Sequence, residues 1–198
     1  MSPRIVNKQE KLLSILDAAL GVFAQQGYSS TKMEAIARAA GIGKGTIYEY
    51  FRNKDALFFA LFDHVRSRFH ETIYAEAEEQ ETATSALEMF IFVTLKALDE
   101  WREFGYVLLD FWSEHRRGES VSLRFSEVYA FSREKIADFV RRGIRDGEFR
   151  NVDPLAAASA IIALLDGLLL QCIFDPAALS ETAAIRQITD VILGGIRK

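Results

Sequence analysis

Between Lys44 and Lys54 the sequence KGTIYEYFRNK gathers charged groups, hydroxyls and a glycine that could together meet a nucleic acid. Lys44 and Lys54 carry ammonium groups suited to phosphate oxygens. Thr46 has a hydroxyl that can reach a base edge or a phosphate, and Tyr48 and Tyr50 add phenolic hydroxyls. Gly45 allows close approach of the backbone. At about 100° per residue along a helix, Ile47 and Phe51 point one way, while Gly45, Thr46 and Glu49 point roughly opposite. Lys44, Tyr48 and Tyr50 fall on the flanks. Such a helix has an apolar back and a polar front, and is narrow enough to enter a DNA major groove.

The stretch from Ser30 to Lys54 supplies what must position it. Thr31 followed by Glu34 reads as a capping box opening a helix. Met33, Ile36, Ala37 and Ala40 lie on one buried face of that helix, and Gly41 stops it. Only Ile42 and Gly43 precede the second helix, Lys44 to Phe51, so the pair reads as a helix-turn-helix. A plain helical hairpin with no role at DNA has the same spacing. A phosphate-binding loop does not fit: its pattern needs Gly where Arg38 stands, and Ser or Thr where Gly45 stands. The dinucleotide pattern needs Gly at Thr46, and neither has a strand before it.

Ile36-Ala37, Ala40-Gly41, Gly45-Thr46-Ile47-Tyr48, Phe51, Lys54 and Leu57 together resemble the DNA-binding domain of the TetR/AcrR family of bacterial regulators. The resemblance covers about the first third of the chain. Carried over by position, it implies that Lys44, Gly45, Thr46 and Tyr48 face bases or nearby backbone. It likewise implies that Thr31, Lys32, Tyr50 and Lys54 hold phosphates. The chain departs from the family pattern at Tyr50, where His is frequent, and at Gly43, where Ser is frequent and caps better.

The charge distribution agrees. The 198-residue chain carries a net charge of −4, yet residues 1–54 hold eight Lys/Arg against four Asp/Glu. The remainder holds sixteen against twenty-four. A basic head on an acidic body is expected when one end touches DNA. A single cysteine, Cys172, excludes an internal disulfide and fits a reducing cytoplasm. Met1 to Glu10 lacks the apolar segment of a secretory signal. Leu155 to Phe174 is the nearest approach to a membrane span. Asp166, Gly167 and Gln171 interrupt it, favouring a buried or subunit-facing helix.

The remaining pattern predicts an all-α fold of about nine helices. Residues 1–54 form the DNA-binding domain, a connecting helix spans about 54–79, and 55–198 form an effector-binding and dimerisation domain. The first helix covers 8–26 and ends at Gly27; Arg4, Lys8 and Lys11, before or at its start, could grip phosphate or the minor groove or be a solvated terminus. Asn53 caps the connecting helix. Later helices are expected near 85–102, 104–116, 120–146 and 154–174, the last opened by Asp153-Pro154. A final helix covers 180–196.

Phe90, Trp101, Phe104, Phe111, Trp112, Phe125 and Tyr129, with His115, Asp110 or Tyr106 as polar contacts, could line an apolar ligand pocket or form core. Ile161, Leu165, Leu168 and Cys172, then Ile188, Val191 and Ile192, form stripes that could pair two copies or complete the monomer core. The family resemblance implies pairing in a four-helix bundle. His64 and His70 do not share a helix face, so no metal pair is expected, and no cofactor motif is present. No nucleophile elbow, H-E-x-x-H or Cys–His candidate appears; an enzyme built around Asp110, Glu114 and His115 is the remaining catalytic reading, though one helix carrying all three is what brings them close in sequence. The expected protein is thus a non-enzymatic, effector-responsive homodimeric repressor on a palindromic operator. The alternative is a structural DNA-binding dimer that recruits a protein and takes no small ligand.

Overall fold

Apolar residues recurring every three or four positions give a chain that folds as helices. The computed structural model describes residues 8–115, 119–175 and 182–198, with the side chains at 69, 70, 72, 98–101, 119–122, 182 and 183 outside the description. The helices are α1 (Lys8–Gln26), α2 (Met33–Ala39), α3 (Lys44–Tyr50), α4 (Lys54–Glu78), α5 (Ala83–His115), α6 (Glu119–Arg145), α7 (Pro154–Phe174) and α8 (Thr182–Gly194). The described residues contain no strand, only an isolated antiparallel bridge between Phe149 and Arg197. Arg4 and Trp101, singled out by the sequence, lie outside the described backbone and side chains respectively.

Two compact units emerge. The first comprises residues up to Arg68 together with Tyr106–Glu114; the second comprises Phe69–Gly105 and His115 onward. The first therefore takes in more than residues 1–54. Its core is built by Ile15, Leu16, Ala19 and Phe23 of α1, Ile36 of α2, Ile47 of α3, and Leu57, Phe58 and Leu61 of α4. Each large apolar side chain so buried stabilises the fold by roughly 1.5–3 kcal/mol.

In the second unit Ile73, Leu87, Phe90, Ile91, Ile136, Val140 and Ile161 belong to one core, and α6 packs along α7. Asp153 caps α7 as expected, its carboxylate accepting from the amides of Leu155 at 2.8 Å and Ala156 at 3.0 Å, with Pro154 opening the helix. The amides of Ala83 and Thr84, at the start of α5, donate to the Glu148 carboxylate at 3.0 and 2.9 Å.

One expected helix boundary is corrected. The stretches 85–102 and 104–116 form one helix, α5, with no break between them. A Cβ at Gly105 would stand 2.8 Å from Cδ1 of Ile173, so this glycine permits close packing rather than ending a helix. Ile161, Leu165 and Cys172, expected on a stripe that could pair two copies or complete the monomer core, are turned into the chain's own core, 3%, 7% and 7% exposed. Leu168, Ile188 and Ile192 pack half-buried against that core, whereas Val191 is 80% exposed. The outward apolar residues are instead Leu155, Leu164, Leu170 and Phe174 of α7 with Val191 of α8.

The expected aromatic set also divides. Phe111 and Trp112 belong to the first unit, where Phe111 is fully buried and Trp112 sits at its exposed edge. Phe90, Phe104, His115, Phe125 and Tyr129 belong to the second. Phe90 and Phe104 are buried and the other three half-buried. Tyr129 donates its hydroxyl hydrogen bond to Asp166 at 2.9 Å. Among the described residues, an open groove of about 490 Å³ lies elsewhere, lined by Glu88, Met89, Phe92, Arg186 and Asp190 among others.

Candidate nucleic-acid interface

The turn between α2 and α3 is set by backbone bonding. The Ile42 amide donates to the carbonyl of Ala37 at 2.9 Å and the Gly41 amide to Arg38 at 3.1 Å, the paired closure of a Schellman motif. Gly41 has φ +66, a conformation that disfavours side chains with a Cβ. The second helix starts at once, with Gly43 in its N-cap position making no side-chain bond. Ile47, fully buried, and Phe51, 7% exposed, anchor α3 to the core. Asn53 then caps α4, accepting from the Ala56 amide at 2.8 Å.

This anchoring leaves Lys44, Gly45, Tyr48 and Glu49 exposed on the outer side of α3, with Thr46 and Tyr50 half-buried beside them. Nothing lies within 4 Å of a Cβ built at Gly45. Lys44 pairs with Glu34 of α2 at 2.8 Å. Their hydrogen bond holds the Glu34 carboxyl below its usual range and raises the Lys44 ammonium. Both side chains are solvated, so the pair contributes little to stability. Lys32 is exposed at the N-cap of α2.

Two expected phosphate contacts have other work. Thr31 is 3% exposed, and its hydroxyl donates to the Gly27 carbonyl at 2.6 Å. The capping box is therefore not formed: Lys32 is the N-cap, and Glu34 is engaged with Lys44. Lys54 donates to the carbonyls of Tyr28 at 2.6 Å and Ser29 at 3.1 Å, and sits 4.3 Å from the Tyr28 ring centroid. That leaves one of its three donors for a phosphate.

These bonds converge on a cluster that includes Asp110 and Glu114, which the sequence marked for other roles. The amides of Tyr28 and Ser29 donate to the Asp110 carboxylate, the Ser29 hydroxyl donates to Glu114, and the Tyr28 hydroxyl donates to Asp55. Behind them, Phe111 stacks on Phe58 at 3.7 Å, with Tyr28 edge-on at 5.0 Å to Phe111. Burial pushes the Tyr28 phenol well above its usual range, reinforced by the Asp55 hydrogen bond and the charges of Asp55 and Glu114. The α1–α2 loop is thus clasped on both its amides and its carbonyls. The available signal was the placing of Asp110 and Glu114 four apart on an apolar helix, which puts both on one face.

A short exposed helix, backed by a rigid tight turn and presenting hydroxyls, a lysine and a glycine, defines a helix-turn-helix DNA-binding protein. Residues 15–61 match the model of bacterial regulatory proteins of the tetR family, and residues 64–196 match the C-terminal domain of BetI-type transcriptional repressors. The chain belongs to the TetR family of transcriptional regulators. It is 37% identical over 84 residues to the fatty acid metabolism regulator protein of Bacillus subtilis, a match spanning 42% of this chain and 43% of that relative. It is 25% identical over 195 residues to the regulator BetI of Rhizobium meliloti, spanning 98% of this chain and 94% of BetI. Among solved structures, the fatty acid degradation regulator FadR of Bacillus halodurans is similar at a TM-score of 0.81 and 27% identity, covering 96% of this chain and 98% of that one. FadR of Bacillus subtilis in complex with stearoyl-CoA shares the fold, with a TM-score of 0.78 and 24% identity, over 93% and 99% of the two chains.

Proposed function

We propose that the protein is a cytoplasmic homodimeric repressor that binds a partly palindromic operator and is released by an apolar or aromatic small molecule. The outward face of α3 carries this reading. A single helix of that length meets few base pairs, and a two-fold dimer placing two such helices one DNA turn apart, roughly 34 Å, is the usual solution. In this reading Gly45, Thr46 and Tyr48 meet bases, with Lys44 shared between Glu34 and the DNA. Lys32, Tyr50 and the remaining donor of Lys54 meet phosphates. The outward apolar residues of α7 and α8, above all Phe174 and Val191 at 80% exposure each, would be covered by the second copy. An effector taken up by the body releases DNA only through unequal affinity for the bound and free forms. The acyl thioester held by one FadR structure supplies a first class of compound to try.

Selection of bound DNA from a random duplex pool tests the reading. The expected result is an inverted repeat whose occupancy falls on titration with stearoyl-CoA or other apolar acyl compounds. Enrichment of no motif would sink the operator assignment. A motif indifferent to every apolar compound would sink the effector assignment alone.

A further inference from the structure

The centre of the outward face of α3 is occupied by an acid. Ile47 and Phe51, the two anchors, define the inward direction of the helix, and at about 100° per residue Glu49 stands opposite their mean. Glu49 is exposed, and no hydrogen bond or ion pair from another described residue engages its carboxylate. The contrast with Glu34 is direct, since that acid is neutralised by Lys44 at 2.8 Å.

An unpaired carboxylate at the middle of a surface that approaches a polyanion weakens binding to every sequence, unless some base compensates it. In the major groove only exocyclic amines can do so, because guanine N7 and O6 and thymine O4 are acceptors that repel it. Adenine places its N7 acceptor beside its amine, whereas cytosine presents the N4 amine with no acceptor of its own alongside. A carboxylate, which accepts and cannot donate, therefore selects cytosine.

Gly45 strengthens the assignment. It lies one turn before Glu49 on the same stripe, and helical side chains lean toward the N-terminus, over the preceding turn. The missing side chain at 45 and the open space around it leave that stripe clear for a base edge.

We infer that Glu49 is a specificity-determining residue that accepts a hydrogen bond from a cytosine N4 amine in each operator half-site. This inference rests on the operator-binding reading above.

Its test repeats the duplex selection with Glu49→Ala, Glu49→Gln and Glu49→Lys beside the unaltered protein. The unaltered protein should enrich an inverted repeat with one strongly preferred cytosine per half-site. Glu49→Ala should keep the repeat and its spacing but relax that position, losing roughly tenfold discrimination there, while gaining affinity for random duplex. Glu49→Gln should move the preference toward adenine, and Glu49→Lys toward guanine, following the side chains' donor patterns. Retention of an identical motif by all three variants would overturn the inference while leaving operator binding intact. Enrichment of nothing by the unaltered protein would overturn both. Because Glu49 is exposed, the variants should keep the parent's circular dichroism and melting temperature.

Discussion

The outer sides of α3 and α7 both go uncovered by the chain, with opposite chemistry. On α3 the exposed residues are Lys44, Gly45, Tyr48 and Glu49. On α7 they include Leu155, Leu164, Leu170 and Phe174, 41%, 50%, 42% and 80% exposed. Small polar groups on a rigid turn suit a charged partner whose binding must be reversible, and such binding weakens as salt rises. An apolar outer face suits a surface of its own kind, held by area removed from water and nearly indifferent to salt.

The largest effect should come from charging the exposed apolar residues of α7 and α8. Phe174→Glu combined with Val191→Glu should convert a dimer to a monomer in sedimentation velocity. Operator affinity should fall roughly 10²-fold or more as the second half-site stops contributing. Both residues are exposed, so the monomer should keep its helix content. A variant that remained dimeric would remove α7 and α8 from the interface and dissolve the contrast.

A smaller loss is expected from the clasp on the α1–α2 loop. Asp110→Ala leaves the Tyr28 and Ser29 amides without their acceptor, at a cost of about 1–3 kcal/mol, read as a lower melting temperature and weaker operator binding. Dimerisation should be untouched. An unchanged melting temperature would show that the loop holds its shape without the carboxylate.

The smallest effect concerns the one acid in α7. Burial raises the Asp166 carboxyl above its usual range, opposed by the hydrogen bond from Tyr129. The folded protein therefore favours the protonated acid. The stability this confers is present at acid pH and lost as pH rises through the raised value. Asp166→Asn keeps an acceptor for Tyr129 without the charge. It should raise the melting temperature at neutral pH and change little in acid. An equal change at both would show that the ionisation of Asp166 is not what matters.

The elements most legible in the sequence were those whose cause is local. Gly27, Gly41, Asn53 and Asp153-Pro154 each fix a helix end through their own backbone or side chain, and each does so in the fold. What escaped depended on distant partners. The expected gap between 102 and 104 does not exist, and α5 runs on through Gly105, which packs against Ile173. Thr31 and Glu34 have capping-box spacing, yet Gly27 and Lys44 claim their side chains. Phe111 and Trp112 follow other body aromatics closely in sequence but belong to the first unit. In α7, apolar on nearly every side, periodicity could not separate Ile161 in the core from Leu164 outside it. Among the nucleic-acid residues, chemistry and spacing drew attention to α3, whereas Asp110 was visible only as a polar group on an aromatic helix.

The clasp also bears on the order in which the protein can be made. The bond from the Tyr28 amide to Asp110 spans 82 positions. At a synthesis rate of roughly 5–20 residues per second, the α1–α2 loop waits several seconds for its acceptor and for the ring of Phe111. Until then a nascent chain carries every residue of the helix-turn-helix but not the residues that brace it. Fragments ending before Tyr106 share that deficiency, because the first unit is completed by a segment encoded well downstream of the motif it supports.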